Sequence, residues 1–305
     1  MKRWWFCCFS LGASLWLSGQ IALASLPPRT VVIGSDIAEI LAALDALEGV
    51  VGRDDTSQFP DSVAALPSVG YLRHLAAEGV FSLAPERLIV AAAAGPREVL
   101  AQLESVGVDV IRIDQGASLE TLTAKVQAVA KASGHETHAA ALVAHIEADL
   151  ARLEMLREAH QESAPNAMLL LSHSGMTPMA AGNDTVGQTV IEAAGGDNAF
   201  SGFNGYKAVG AEAMVDKAPE VVIATRSGLE GIGGEARLWQ LPGLALTPAG
   251  QQQRLIVCDD QALLGFGPRT PSALIELHHA LYENTTTAVS TGADSTAESC
   301  WSMPP

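Results

Sequence analysis

Ala77-Glu78 and, seven residues on, Ala84-Pro85-Glu86 run into the apolar triplet Leu88-Ile89-Val90. Ala211-Glu212 and, seven residues on, Ala218-Pro219-Glu220 run into Val221-Val222-Ile223. Each copy reads as a short helix, an Ala-Pro-Glu turn and a buried strand. A match of this kind between the two halves of one chain predicts two α/β lobes of similar build.

The flanking sequence extends both lobes. Thr30-Val31-Val32-Ile33-Gly34 is a strand signal, and Asp36 can cap a helix through Ile37, Ile40, Leu41, Leu44 and Leu47, spaced i, i+3, i+4, i+7. Val50-Val51-Gly52, Arg87-Leu88-Ile89-Val90 and 108–113 are further strands. One helix opens at Pro96 and closes at Gly107, and another covers 119–132. Continuous apolar strands separated by helices predict a parallel sheet covered on both faces. Residues 135–160 contain no Gly or Pro and predict one long helix of roughly seven turns at ~3.6 residues each. Beyond it the alternation restarts, with strands at 167–171, 221–224 and 255–258 and helices at 185–194 and 271–282. The expected fold class is therefore α/β: two parallel-sheet lobes joined by one long α-helix, with a ligand cleft between them where the strand ends meet. The expected boundaries are a first lobe at 26–133, the linking helix at 134–162, a second lobe at 165–284 and a polar tail without structure at 285–305.

Residues 1–24 precede this fold. Lys2 and Arg3, an apolar run from Trp4 to about Leu23, and Ala22-Leu23-Ala24 have the form of a secretory signal peptide, which predicts a periplasmic protein. The chain carries 18 Lys+Arg against 34 Asp+Glu, and losing the leader makes it more acidic still. Such a surface repels nucleic acid and anionic lipid, so neither is an expected partner, and an anionic ligand needs a local cluster of Arg or Lys. No insertion into the membrane is expected after cleavage. Cys258 falls in a predicted buried strand and Cys300 in the tail; a core thiol with a loose one, or a disulfide between them, both fit the compartment.

No G-x-S-x-G, Walker loop, H-E-x-x-H or C-x-x-C occurs, which argues against an enzyme. The segment Pro67-Ser68-Val69-Gly70-Tyr71-Leu72-Arg73-His74 is the most informative. Tyr71 is one of three Tyr and sits in a Pro/Gly-rich loop after the second strand. In an extended segment Tyr71 and Arg73 point the same way. A phenolate is a hard donor suited to ferric iron, and a neighbouring guanidinium favours it; equally, Tyr71 fits a loop-packing residue beside a surface Arg. His173 follows the first strand of the second lobe, where it can ligate iron, serve a second stacked haem, donate a hydrogen bond or act structurally. Arg226 and Arg269 follow predicted strands and are candidates for holding propionates, because the planar guanidinium takes a carboxylate bidentately. Glu78 and Glu212 are repeat-equivalent; they fit helix-start carboxylates and, equally, one docking knob per lobe.

Three stretches resemble the haemin-binding periplasmic proteins of the HmuT type. They are Leu66-Pro67-Ser68-Val69-Gly70-Tyr71-Leu72-Arg73 with the Ala76-Ala77-Glu78-Gly79 turn, Ser172-His173-Ser174-Gly175, and Leu264-Gly265-Phe266-Gly267-Pro268-Arg269. The resemblance implies two α/β lobes on a rigid helical backbone and capture of haem for an ABC permease–ATPase complex of the inner membrane. It implies Tyr71 as axial iron ligand, Arg73 as its hydrogen-bonding neighbour, His173 toward a second haem, and Glu78 and Glu212 as permease docks. His74 departs from the pattern and adds a competing donor beside Tyr71. A corrinoid or a ferric siderophore is the alternative cargo on the same fold, and a periplasmic enzyme using the cleft is the alternative class.

Overall fold

A computed structural model describes residues 27–160, 164–172, 177–282 and the backbone of 300–302. The expected leader at 1–24 lies outside the described residues. In the first lobe, β1 (Thr30–Ile33), β2 (Val50–Arg53), β3 (Arg87–Ala91) and β4 (Asp109–Ile113) form a parallel sheet in the order β2-β1-β3-β4. Successive side chains leave opposite faces of a strand. Val31, Ile33, Leu88 and Val90 accordingly enter one buried cluster, and Val32 and Ile89 another. Burial on both faces is why these strands read as unbroken apolar runs.

The second lobe is built around β5 (Asn166–Leu171), β6 (Met179–Ala181), β7 (Asp197–Asn198), β8 (Tyr206–Lys207), β9 (Val221–Thr225), β10 (Leu255–Cys258) and β11 (Cys300–Ser302). Its order is β11-β10-β9-β5-β6-β8, with β7 also pairing β5. The centre, β5, β9 and β10, is parallel and buried on both faces. The outer strands β6, β8 and β11 are antiparallel to their neighbours, so this sheet is mixed rather than wholly parallel. Strands of two or three residues have too few positions for any periodicity to reveal them.

The sequence repeat is a repeat of backbone conformation. Ala84 and Ala218 have φ of 44° and 43°, a left-handed conformation uncommon for a residue with a Cβ. The Glu two positions later performs the same task in each lobe. Glu86 accepts a hydrogen bond from the Arg29 amide at 3.0 Å, and Glu220 from the Asn166 amide at 2.9 Å. Their own amides return bonds to the Arg29 and Asn166 carbonyls at 2.8 and 2.7 Å. Each ring closes on the entry to its lobe's first strand.

The long helix runs Glu136–Ala159, and its 24 residues span about 36 Å at ~1.5 Å each. Ala139, Ile146 and Leu153 are its buried residues and share one stripe. Ala139 and Ile146 enter a core cluster of the first lobe, Leu153 one of the second. It packs against helix Leu122–Ser133 on one side and helix Thr270–Tyr282 on the other. Among the described residues no helix is long and apolar enough to cross a membrane.

Two expectations are corrected. Asp36 is not a helix cap: the helix Ser35–Ala43 starts from Gly34, whose φ of 125° suits a residue without a Cβ. A Cβ there would stand 2.7 Å from that of Ala91, and the Asp36 carboxylate instead pairs with Lys125 at 2.7 Å. The tail is also not wholly without structure, since 300–302 forms β11 on the edge of β10. Its register sets Cys300 opposite Cys258, and Cys258 is disulfide-bonded.

Candidate functional site

In the first sheet the chain leaves β1 for β2 on one side, while β3 lies on the other. A crevice opens at such a reversal, beyond the carboxyl ends of the strands. A cleft of about 670 Å³ lies there, within the usual size of a small-molecule site. The first lobe contributes the loops after all four of its strands: 34–36, 55–59, 91–93 and 115–117, together with Leu72 and Arg73. The second contributes Val186, Ser227 and the segment around 259–265, which follow the ends of β9 and β10 or face them.

The loop after β2 is shaped by one buried carboxylate. Asp54 accepts from the Gly34 amide at 2.9 Å, the Thr56 amide at 3.0 Å and the Ser57 hydroxyl at 2.6 Å. It thereby ties the ends of β1 and β2 together. The segment 67–70 runs beside β2, with the Val69 amide on the Arg53 carbonyl at 2.8 Å and the Asp55 amide on the Gly70 carbonyl at 2.9 Å. This brings Tyr71 to the rim. Tyr71 is 42% exposed, its ring stacks on His74 with centroids 5.8 Å apart, and its neighbours Leu72 and Arg73 line the cleft.

The expectation that Tyr71 and Arg73 lie on an extended segment is corrected. The His74 amide donates to the Tyr71 carbonyl at 2.8 Å, so 71–74 is a tight turn that delivers Arg73 rather than Tyr71 to the cleft wall. Arg73 is exposed and has no ion-pair or hydrogen-bond partner among the described residues. The carboxylates on the cleft lining are all engaged: Asp36 with Lys125, Asp55 with the Ser68 hydroxyl, Asp259 with Arg269 and Asp260 with Ser227. Arg73 is thus an uncommitted cation in a wall where Asp36 and Asp259 are ion-paired and Asp55 and Asp260 are held by serine donors.

Arg269 is not a free cation for propionates. Its NH2 group reaches Glu39 at 3.1 Å and Asp259 at 3.3 Å, and its amide donates to Glu39 at 2.9 Å. Its guanidinium lies 3.6 Å over the Phe59 ring. Glu39 is almost fully buried, and burial raises its pKa against the lowering by Arg269. Gln261 donates to Glu39 at 2.9 Å and accepts from the Gln58 and Phe59 amides at 3.0 and 3.1 Å. Lys125 adds a second tie, from Asp36 to the Phe266 carbonyl at 3.2 Å. The floor of the cleft is therefore a latch between the lobes.

Arg226 opens the helix Arg226–Ile232 and is exposed, next to cleft-lining Ser227. Glu78 and Glu212 are exposed in the first turns of helices Ala77–Phe81 and Ala211–Lys217. His173 lies outside the described residues. Among those described, no group of three His, Cys, Asp or Glu could hold a metal ion. Sequence reading missed Glu39, Gln261 and Phe59, whose partners lie up to 230 positions away. No local pattern announces such pairs.

The model of the family described as periplasmic binding protein matches residues 31–262. The chain belongs to that family. The periplasmic heme-binding protein RhuT from Roseiflexus sp. RS-1, in apo form, is 38% identical with a TM-score of 0.79, over 84% of this chain and 98% of that one. The periplasmic heme-binding protein BhuT, in complex with two hemes, is 37% identical with a TM-score of 0.78 over the same shares. An uncharacterized ABC transporter substrate-binding lipoprotein, YvrC of Bacillus subtilis (strain 168), is 21% identical over 268 residues, 87% of this chain and 83% of its own length. Family membership makes the chain a binding protein that works outside the cytoplasm, with two lobes around its ligand.

Proposed function

We propose that this protein captures haem between its lobes in the periplasm and hands it to the permease of an ABC importer. The observation that carries the reading is the rim of the first lobe. An exposed Tyr, with no hydrogen-bond partner for its hydroxyl among the described residues, stands beside an unpaired Arg at the mouth of a cleft of suitable size. The solved relatives bearing the same fold are heme-binding proteins by name. In this reading Tyr71 is the axial ligand of the ferric cargo, and Arg73 favours the phenolate and draws in the anionic ligand. Arg226, exposed beside cleft-lining Ser227, is the second-lobe cation for a propionate, and His173 a donor toward a second haem. Leader 1–24 directs export, and Glu78 and Glu212 dock on the permease complex, one per lobe.

The test is a haemin titration. Wild type develops a Soret band with ferric charge-transfer features, and its resonance spectrum carries an iron–phenolate signature. Tyr71→Phe loses that signature and binds haemin markedly more weakly. A Tyr71→Phe variant that binds like wild type overturns the ligand assignment. For docking, the Glu78→Ala/Glu212→Ala double variant keeps haem binding and loses transport; unchanged transport overturns it.

A further inference from the structure

Phe59 is the one aromatic side chain among the described residues that line the cleft, and it is unusually fixed. The Gln261 side chain takes its amide at 3.1 Å and reaches its carbonyl at 3.4 Å. One face of its ring is covered by the Arg269 guanidinium, 3.6 Å from the ring centre. Arg269 comes from the other lobe and is itself held by Glu39 and Asp259. It is not part of the cleft lining, whereas Phe59 is. The guanidinium therefore covers one face of the ring, and of this stacked pair it is Phe59 that meets the cleft. The arrangement has a cost, since the Arg269 Nε is buried without a hydrogen-bond partner. A cation on one face draws π density toward itself and leaves the other face better suited to stack on an electron-rich plane.

We infer that Phe59, backed by Arg269, is the stacking platform that recognises the plane of a porphyrin macrocycle, independently of its iron. This rests on the haem reading and deepens it: Tyr71 reads the metal and Phe59 reads the ring. The two can be separated with iron-free protoporphyrin IX, which offers the plane without the metal. Wild type binds protoporphyrin IX, and Phe59→Leu weakens that binding about five- to tenfold. Tyr71→Phe weakens haemin far more than it weakens protoporphyrin, whereas Phe59→Leu weakens both. Phe59→Trp keeps a stacking ring, binds protoporphyrin at least as tightly as wild type, and its added indole emission is quenched by the bound porphyrin. Wild-type protoporphyrin affinity in Phe59→Leu, or unquenched emission from the added indole in Phe59→Trp, overturns the platform while haemin uptake by wild type still stands. Failure of wild type to take up haemin overturns the haem reading itself, and the platform with it.

Discussion

Ala84 and Ala218, 134 positions apart, hold the same left-handed backbone, with φ of 44° and 43°. Both are followed by a Pro and then by the Glu that clamps the entry to a first strand. A Cβ in this region costs roughly 1–2 kcal/mol. Replacing either Ala by Gly removes that cost and is expected to raise the unfolding free energy by about 0.5–1 kcal/mol, after the entropy of the freed chain is deducted. The two gains add, because the sites lie in different lobes. Denaturant melts of the single and double variants check this; a loss of stability in both singles contradicts it.

The interlobe latch makes a second prediction. Glu39→Ala leaves Arg269 without its main partner. Because Arg269 is partly exposed and keeps Asp259, the expected loss is about 2–3 kcal/mol, below that of a fully buried pair. The pH dependence follows from burial raising the Glu39 pKa above 4.5, opposed by Arg269. A carboxyl whose folded pKa is raised contributes stability that is present below the unfolded value and lost as pH rises through the folded one. Glu39→Gln abolishes that step. Relative to wild type, the Gln variant is therefore least stable in acid and gains as pH rises, which chemical melts across that range measure.

His278 gives the opposite slope. It is buried, its Nδ1 bonds the Ala194 carbonyl at 2.9 Å, and its ring stands within 3.2 Å of His160. Burial lowers its pKa below 6.5, and the nearby His160, His279 and Arg157 add to the lowering while the Ala194 bond opposes it. A base whose folded pKa is depressed contributes stability above its unfolded value, and that stability is lost as pH falls. Thermal melts are expected to show wild type weakening as pH drops below about 6.5, with His278→Gln flattening that part of the profile.

The Cys258 disulfide is a fourth test. The β10–β11 register sets Cys300 opposite. Non-reducing peptide mapping is expected to join the two Cys-bearing peptides, and reduction to lower stability by about 2–4 kcal/mol. A free Cys258 thiol in the oxidised protein contradicts it.

Much of the fold was legible because burial on both faces writes itself as an apolar run. β1, β3, β9 and β10 and the helix Glu136–Ala159 stand where the sequence sets them. The repeat was legible as well, although its Glu78 and Glu212 drew attention and its structural work falls to Glu86 and Glu220. The edges β6, β7, β8 and β11 were not, since two or three residues carry no period and depend on a neighbour. At the site, Tyr71 and Arg73 stood out by composition, but the turn at 71–74 that separates their roles also leans on a distant residue, Gly95, whose amide donates to the Leu72 carbonyl at 2.9 Å. The engagement of Arg269 was not legible, because Glu39, its partner, lies 230 positions away with no sequence neighbour to betray it.

The stripe Ala139, Ile146 and Leu153 inserts one rod into the hydrophobic interior of both halves. Swinging the halves apart would have to bend that rod or draw it from one interior, which opposes a wide change in the gap. A carrier that does not clap shut looks much the same loaded and empty from the outside. If the protein feeds a permease as proposed, unladen copies contend with laden ones for the same landing place, and import is expected to slow when the carrier outnumbers its cargo.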